Sequence, residues 1–241
     1  MREVKGKYKQ AFFGVAWAIV QPIALIGMMT VVFSYFVRIP SDGIPYPLFL
    51  FAAMLPWNFF AGAVLRGTSS LLNQAALITK IYFPRETLVI ASFVAACVDF
   101  VVTSLVFVAL MFIYHVTPGV TVLFVIPALL IQVAFSLGLM LLLAPLNTMY
   151  RDVGQAMPVL LQVWMYATPL MYPASLVPER FRSIYFLNPM AVLTETYRDA
   201  LLRNAVPSLG WLLYAALAAI ATLVFGYVVF KRLEKRMADV A

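Results

Sequence analysis

Residues 71–86, LLNQAALITKIYFPRE, separate two strongly apolar runs. The stretch is neither long nor apolar enough to cross a bilayer. Its pattern predicts a short helix over about 71–78, then Lys80, the aromatic pair Tyr82-Phe83 and a stop at Pro84-Arg85-Glu86. The residue before a proline is pushed out of the helical region, so Phe83 marks a boundary.

The chain has 241 residues, 64% of them hydrophobic and 11% charged. That is outside soluble globular usage and puts the protein in the membrane class. About twenty apolar residues span the hydrocarbon core as a helix. Six segments qualify or nearly do: 13–37, 46–65, 88–114, 120–146, 156–172 and 209–230. The fifth is short, and Gln155, Gln162 and Thr168 place it against other helices rather than lipid. The first run is too long for the apolar part of a signal peptide, and no small-residue cleavage site follows it. The expected fold is all-α and polytopic, with six transmembrane helices in one domain over 1–241.

An even number of spans puts both termini on one side, and Lys and Arg choose the side. The N-terminal flank, the 71–86 connector with Arg66, the loop at Arg151 and the tail from Lys231 carry twelve of the 17 basic residues. The other face has Arg38, Arg180, Arg182, Arg198 and Arg203. The positive-inside rule therefore places both termini and residues 71–86 in the cytoplasm, in a multi-pass cytoplasmic (inner) membrane protein.

Two flanking segments each admit two readings. In residues 1–12, Val4, Tyr8 and Phe12 fall on one helical face and Arg2, Lys5 and Lys9 on the other. That pattern fits an interfacial amphipathic helix or an ordinary positive flank to the first span. Residues 173–207 are cut by Pro178, Pro189 and Pro207, with short helices expected at 183–187 and 191–202. Two re-entrant helices would keep their backbone bonds internal at membrane depth; a hairpin flat on the outer surface is the other reading.

No catalytic constellation emerges. His115 is the single histidine and sits at an external helix end, where a solvated cap is its expected role. Cys97 is the single cysteine, which excludes an intrachain disulfide framework and a thiolate cluster. No ligand spacing suits a metal, and the phosphate-cradling pattern GxxxxGK[ST] is absent. Asp99 is the one acidic residue inside a span. It reads as a structural carboxyl holding the third span to a neighbour, or as a proton site. Trp57, Asn58, Phe59 and Phe60 cluster in the second span, and Gln162, Trp164, Tyr166, Thr168 and Tyr172 in the fifth. Aromatic faces with amides and hydroxyls suit a sliding polar glycan; ordinary helix packing explains the same composition.

An ordered set of short patterns runs through the chain. It comprises Tyr8-Lys9, Gly14-x-x-Trp17 and Pro22; Pro56-Trp57; Asn73 and Lys80-x-x-Phe83-Pro84-Arg85; Asn147-x-x-x-Arg151-Asp152; Thr168-Pro169-Leu170-Met171-Tyr172; and Asn188-Pro189 with Tyr197-Arg198. Together and in this order they resemble the membrane permease of ABC exporters for polysaccharides, the group that moves O-antigen, teichoic acid and capsule chains. One departure is the start, since family members usually carry more residues before the Tyr-Lys pattern.

The resemblance implies a homodimeric half-transporter for a lipid-linked polysaccharide, driven by two copies of a separate ABC ATPase that handles ATP and magnesium. No cofactor or metal is then expected on this chain. It implies that 71–86 is the coupling helix, with Asn73, Lys80, Phe83, Pro84, Arg85, Glu86, Arg151 and Asp152 at the ATPase. Trp57, Phe59, Phe60, Trp164, Tyr166, Pro169, Met171 and Tyr172 would line the channel or gate, with 173–207 as the external gate segment. Lys5, Lys7, Tyr8 and Lys9 would meet the lipid head group. A drug or lipid exporter of the same superfamily is the nearest alternative. An ion-coupled carrier would need more ionisable groups in its spans than Asp99. A membrane glycosyltransferase would need more than the Glu179, Glu195 and Asp199 of the external loop.

Overall fold

The computed structural model describes residues 16–37, 41, 43–74 and 84–240. Among the described residues every regular element is a helix. They are α1 (Ala16–Thr30, continuing as a wider π turn over Val31–Phe36), α2 (Tyr46–Ser70), α3 (Glu86–Ile113), α4 (Val125–Met149, led by a 3-10 turn over Val120–Phe124), α5 (Asp152–Tyr166), α6 (Glu179–Tyr185), α7 (Pro189–Arg198, continuing as a π turn over Asp199–Arg203) and α8 (Leu209–Val240). Residues 1–12, and most of the 71–86 connector from 75 to 83, lie outside the described residues.

Four described helical stretches are long and apolar enough to cross a membrane: Tyr46–Ser70, Glu86–Ile113, Val120–Met149 and Leu209–Glu234. A shorter apolar helix covers Ile23–Ser34. Helix α5 has 15 residues, about 22 Å at 1.5 Å per residue, which falls short of the hydrocarbon thickness.

Helix α2 is the centre of the bundle. Within its most apolar window 78% is buried, against 17–22% for the other three long helices. Leu48, Phe49, Leu50, Phe51, Ala52 and Ala53 are consecutive and all fully buried, as expected of a helix that is apolar all round. The helix runs to Ser70, so Arg66 lies inside it rather than in the connector. On α3, by contrast, Ile90, Val94, Val98, Val101, Leu105, Val108 and Phe112 are exposed at spacings of three and four. A continuous outward stripe of this kind suits lipid rather than water.

Helices α4 and α8 touch backbone to backbone. A Cβ on Gly226 would lie 2.1 Å from the Gly138 carbonyl oxygen, and one on Gly138 would lie 2.6 Å from the Leu223 amide nitrogen. Small residues permit this approach, and van der Waals packing then holds the pair without a hydrophobic driving force. Helix α4 also meets α2, where a Cβ on Gly67 would collide with the Met140 side chain. Pro56 sits inside α2 and costs the ladder one donor. The buried Gln132 of α4 donates from Nε2 to the Pro56 carbonyl at 2.5 Å, a polar tie between α4 and α2.

Helix α5 stops at Tyr166, whereas the sequence suggested a span to 172. Thr168 precedes Pro169 and cannot stay helical. Thr168 is buried, but Gln155 and Gln162 are exposed on the subunit surface, so the expectation that they face neighbouring helices of the chain does not hold within one subunit. The two short helices expected between 183 and 202 begin earlier, at Glu179 and Pro189: Pro178 is the extended N-cap before the first, and Pro189 is the first residue of the second, where a missing N–H costs nothing.

Candidate functional site

At the end of the bundle carrying Tyr46 and Ile113, the chain leaves α5 and makes an irregular turn over residues 167–172. Thr168, Pro169 and Leu170 are buried. The Leu170 amide donates to the Thr168 carbonyl at 2.7 Å, but the carbonyls of Pro169 and Leu170 have left the helical ladder, and buried irregular backbone persists only when other groups satisfy it. Arg198, at the end of α7, supplies the donors. Its Nη1 donates to Pro169 O at 2.6 Å and to Tyr172 O at 3.4 Å, its Nη2 to Leu170 O at 2.6 Å, and its Nε to Phe49 O at 3.3 Å. The guanidinium carbon lies 3.7 Å over the Phe49 ring. Only a planar, five-donor fork serves acceptors spread over this arc.

Arg198 is fully buried, so its charge needs a partner. Nη1 also donates to Glu195 Oε1 at 2.6 Å, one turn earlier on α7. Glu195 Oε2 accepts from Arg203 Nη1 at 2.8 Å, and Arg203 pairs with Asp199 at 2.8 Å. Charges therefore alternate along one helix face and sum to zero. Burial lowers the Arg198 pKa, and the adjacent Glu195 carboxylate opposes that shift. Burial raises the Asp199 pKa, with the Arg203 hydrogen bond pulling it back.

Other groups fasten the same turn. Tyr46 donates its hydroxyl to Met171 O at 2.9 Å. Asn188 caps α7 by accepting from Met190 N, accepts from Trp164 Nε1 at 2.9 Å and donates to Thr168 Oγ1 at 2.9 Å. The Tyr172 and Tyr185 hydroxyls share a hydrogen bond of 2.7 Å. Burial, ahead of this bond, raises the Tyr185 pKa.

The expected gate residues thus divide. Trp164, Pro169, Met171 and Tyr172 come together around the Arg198 turn. Trp57, Phe59 and Phe60 do not line an open surface: their exposures are 3%, 4% and 0%. Phe60 stacks on Phe135 at 5.5 Å and meets Trp164 edge-on at 5.3 Å, while Phe59 turns to Phe93 and Phe100 of α3. Helix α2 is surrounded by its own subunit, so packing claims these rings. Tyr166 is exposed.

The opposite end carries the residues expected at the ATPase. Asn73 is exposed on a 3-10 turn over Leu72–Gln74. Arg151 and Asp152 are exposed at the start of α5. Asn147 joins three elements here, donating to Thr68 O at 2.9 Å and accepting from Gly154 N at 2.7 Å. Pro84 is exposed. Arg85 donates to Glu234 O at 2.9 Å, and Glu86 pairs with Lys231 at 2.9 Å. Arg85 and Glu86 therefore tie α3 to α8. Lys5, Lys7, Tyr8, Lys9, Lys80 and Phe83 lie outside the described residues. Arg66 and Asp99 form an ion pair between α2 and α3, both half-buried.

In the sequence Arg198 stands in a motif and in the charge count of the outer face, and Arg66 in the charge count of the opposite one. A signal was present for each. Arg198 lies three residues after Glu195, and Arg66 and Asp99 are opposite charges on consecutive antiparallel helices.

The family description "ABC-2 type transporter" matches residues 1–202. Among curated proteins, the chain is 27% identical over 240 residues to the O-antigen export system permease protein RfbA of Klebsiella pneumoniae, covering 99% of this chain and 92% of that one. It is 29% identical over 241 residues to the RfbA permease of Myxococcus xanthus, with 99% and 92% covered. It is 22% identical over 244 residues to the polysialic acid transport protein KpsM of Escherichia coli, with 98% and 92% covered. With most of its length matched and its long apolar helices in place, the chain belongs to the ABC-2 type transporter family.

Proposed function

We propose that this chain is the permease subunit of an ATP-driven exporter for a lipid-linked polysaccharide of the O-antigen kind. The near full-length similarity to O-antigen export permeases carries the reading. Two copies form the channel, and a separate ATPase subunit, also in two copies, supplies energy. Six spans cross the inner membrane with both termini cytoplasmic, α1 and α5 being the two that need neighbours to complete the crossing. Residues 71–86 with Asn73, Lys80, Phe83, Pro84, Arg151 and Asp152 receive force from the ATPase. The basic residues Lys5, Lys7 and Lys9, with Tyr8, meet the lipid diphosphate.

At the other end, α6, α7 and the 167–172 turn form the external gate. The Arg198 network supports this, because it makes turn and helix one rigid part that moves as a unit. Trp164, Pro169, Met171 and Tyr172 belong to that part, while Trp57, Phe59 and Phe60 form the packed wall behind it.

The test is reconstitution. Vesicles holding the chain with its ATPase and ATP should translocate a lipid-diphosphate-linked O-polysaccharide, and the chain alone should hydrolyse no ATP. Transport of drugs or free lipids without glycan would overturn the substrate assignment. ATP turnover by the isolated chain would overturn the division of labour.

A further inference from the structure

Helix α8 carries a charge that the described residues leave unmatched. Leu217, Val224, Phe225 and Val228 are exposed on the subunit. At 3.6 residues per turn they fall within an arc of about 100°. Arg232 falls within the same arc, about 6 Å beyond Val228 along the axis. The surface therefore runs from an apolar track straight to a guanidinium, beside a cleft lined by Tyr227, Val228, Lys231, Arg232 and Glu234. The carboxylates at this junction are taken, because Lys231 Nζ donates to Glu86 at 2.9 Å and to Glu234 at 3.0 Å. Arg85, across the junction, bonds the Glu234 carbonyl. Arg232 is exposed, and among the described residues no hydrogen bond or ion pair engages it.

We propose that Arg232 binds the headgroup of a resident anionic phospholipid of the cytoplasmic leaflet, whose acyl chains lie along Val228, Phe225, Val224 and Leu217. The proposal rests on the orientation stated above, with both termini cytoplasmic. The occupant has an apolar body and a charged end, because the track is apolar along its length and ends at a cation. One unmatched positive charge fits one phosphodiester, whereas a polyprenyl diphosphate brings more than one negative charge. A zwitterionic lipid brings its own ammonium, and Lys231 already holds Glu86 and Glu234, the carboxylates that could receive it. The guanidinium fork can hold two phosphate oxygens at once. Basic residues next to a span also attract the anionic lipids of that leaflet, and Lys235 and Arg236 follow in the sequence. A phosphate on Arg232 sits one residue from the Lys231–Glu86 bridge, which joins α8 to the first turn of α3. The lipid thus braces the corner where the 71–86 connector enters α3.

The experiment uses the full chain purified in detergent. Its melting temperature is followed as phosphatidylglycerol or phosphatidylcholine is added, and native mass spectrometry counts the lipid retained. Expected is a rise of about 3–5 °C with phosphatidylglycerol and little with phosphatidylcholine, with phosphatidylglycerol retained on the chain. Arg232→Gln should abolish the rise and the retained lipid, yet melt at the wild-type temperature when no lipid is added. Arg232→Lys keeps the charge but not the fork and should keep part of the response. Equal rises with both lipids, an unchanged phosphatidylglycerol response in Arg232→Gln, or displacement of phosphatidylglycerol by equimolar polyprenyl diphosphate would overturn the site. Loss of ATPase co-purification in Arg232→Gln with the lipid response intact would also overturn it, by making this face a protein dock. None of these readouts involves transport, so failure of the chain to export a polysaccharide leaves them standing. An inverted topology would show in reporter fusions at the C-terminus and would overturn the leaflet assignment.

Discussion

Arg198 is the residue on which the far end of the bundle depends. Its guanidinium satisfies three carbonyls of one turn and one carboxylate, all in the protein interior. Removing one partner of a buried ion pair costs about 3–5 kcal/mol because the other charge is stranded. Arg198→Met should therefore lower thermal stability in detergent sharply. Arg198→Met combined with Glu195→Gln should recover part of the loss, and Arg198→Lys should stay low because an ammonium cannot serve the spread acceptors. Melting temperatures of the purified variants decide among these outcomes. The Arg66–Asp99 pair makes a milder case, since both groups are half-buried. Asp99→Asn keeps a hydrogen-bond acceptor for Arg66 and should leave folding and transport near wild type. Asp99→Leu should cost about 1–3 kcal/mol. Loss of transport by well-folded Asp99→Asn would revive the proton-site reading.

Among the helices, α4 and α8 are joined by contact and α3 and α8 by charge. Gly138→Ala and Gly226→Ala push a methyl into backbone, so each should destabilise by about 1–3 kcal/mol. Gly62→Ala and Gly27→Ala meet nothing within 4 Å and should be neutral or slightly stabilising, since alanine has the better helix propensity. Unfolding midpoints of the four variants measure the difference. Arg85 and Lys80 should separate in the same way. Arg85 already bonds Glu234 O on α8, so Arg85→Glu should lower the stability of the chain even without its ATPase. Lys80→Glu should weaken co-purification with the ATPase and leave the isolated chain as stable as before. The existence of these helices was legible in the sequence, because long apolar runs and prolines act locally. Their contacts were not, because a glycine pair 88 positions apart carries no periodic signal.

For the molecule as a whole, the exposed apolar stripe of α3 and the buried centre at α2 describe a bundle whose outer solvent is lipid. The proposed orientation rests on the charge distribution, and fusions can check it. A C-terminal fluorescent protein should fold and fluoresce, whereas alkaline phosphatase inserted at Asn204 should be active. The reverse pattern would invert the assignment of coupling and gate ends.

Composition and run length alone determined the membrane class, the long helices and the helix-breaking prolines, since each depends on neighbours in sequence. The family was equally legible, because its short motifs keep their order along the chain. The tertiary structure decided which aromatic residues are free. Trp57, Phe59 and Phe60 look identical in composition to a channel lining, yet the surrounding helices bury them. It also decided that Arg198, one of five basic residues on the expected outer face, turns inward to hold irregular backbone. Burial and hydrogen-bond demand are set by what lies across the bundle, and no local pattern records them.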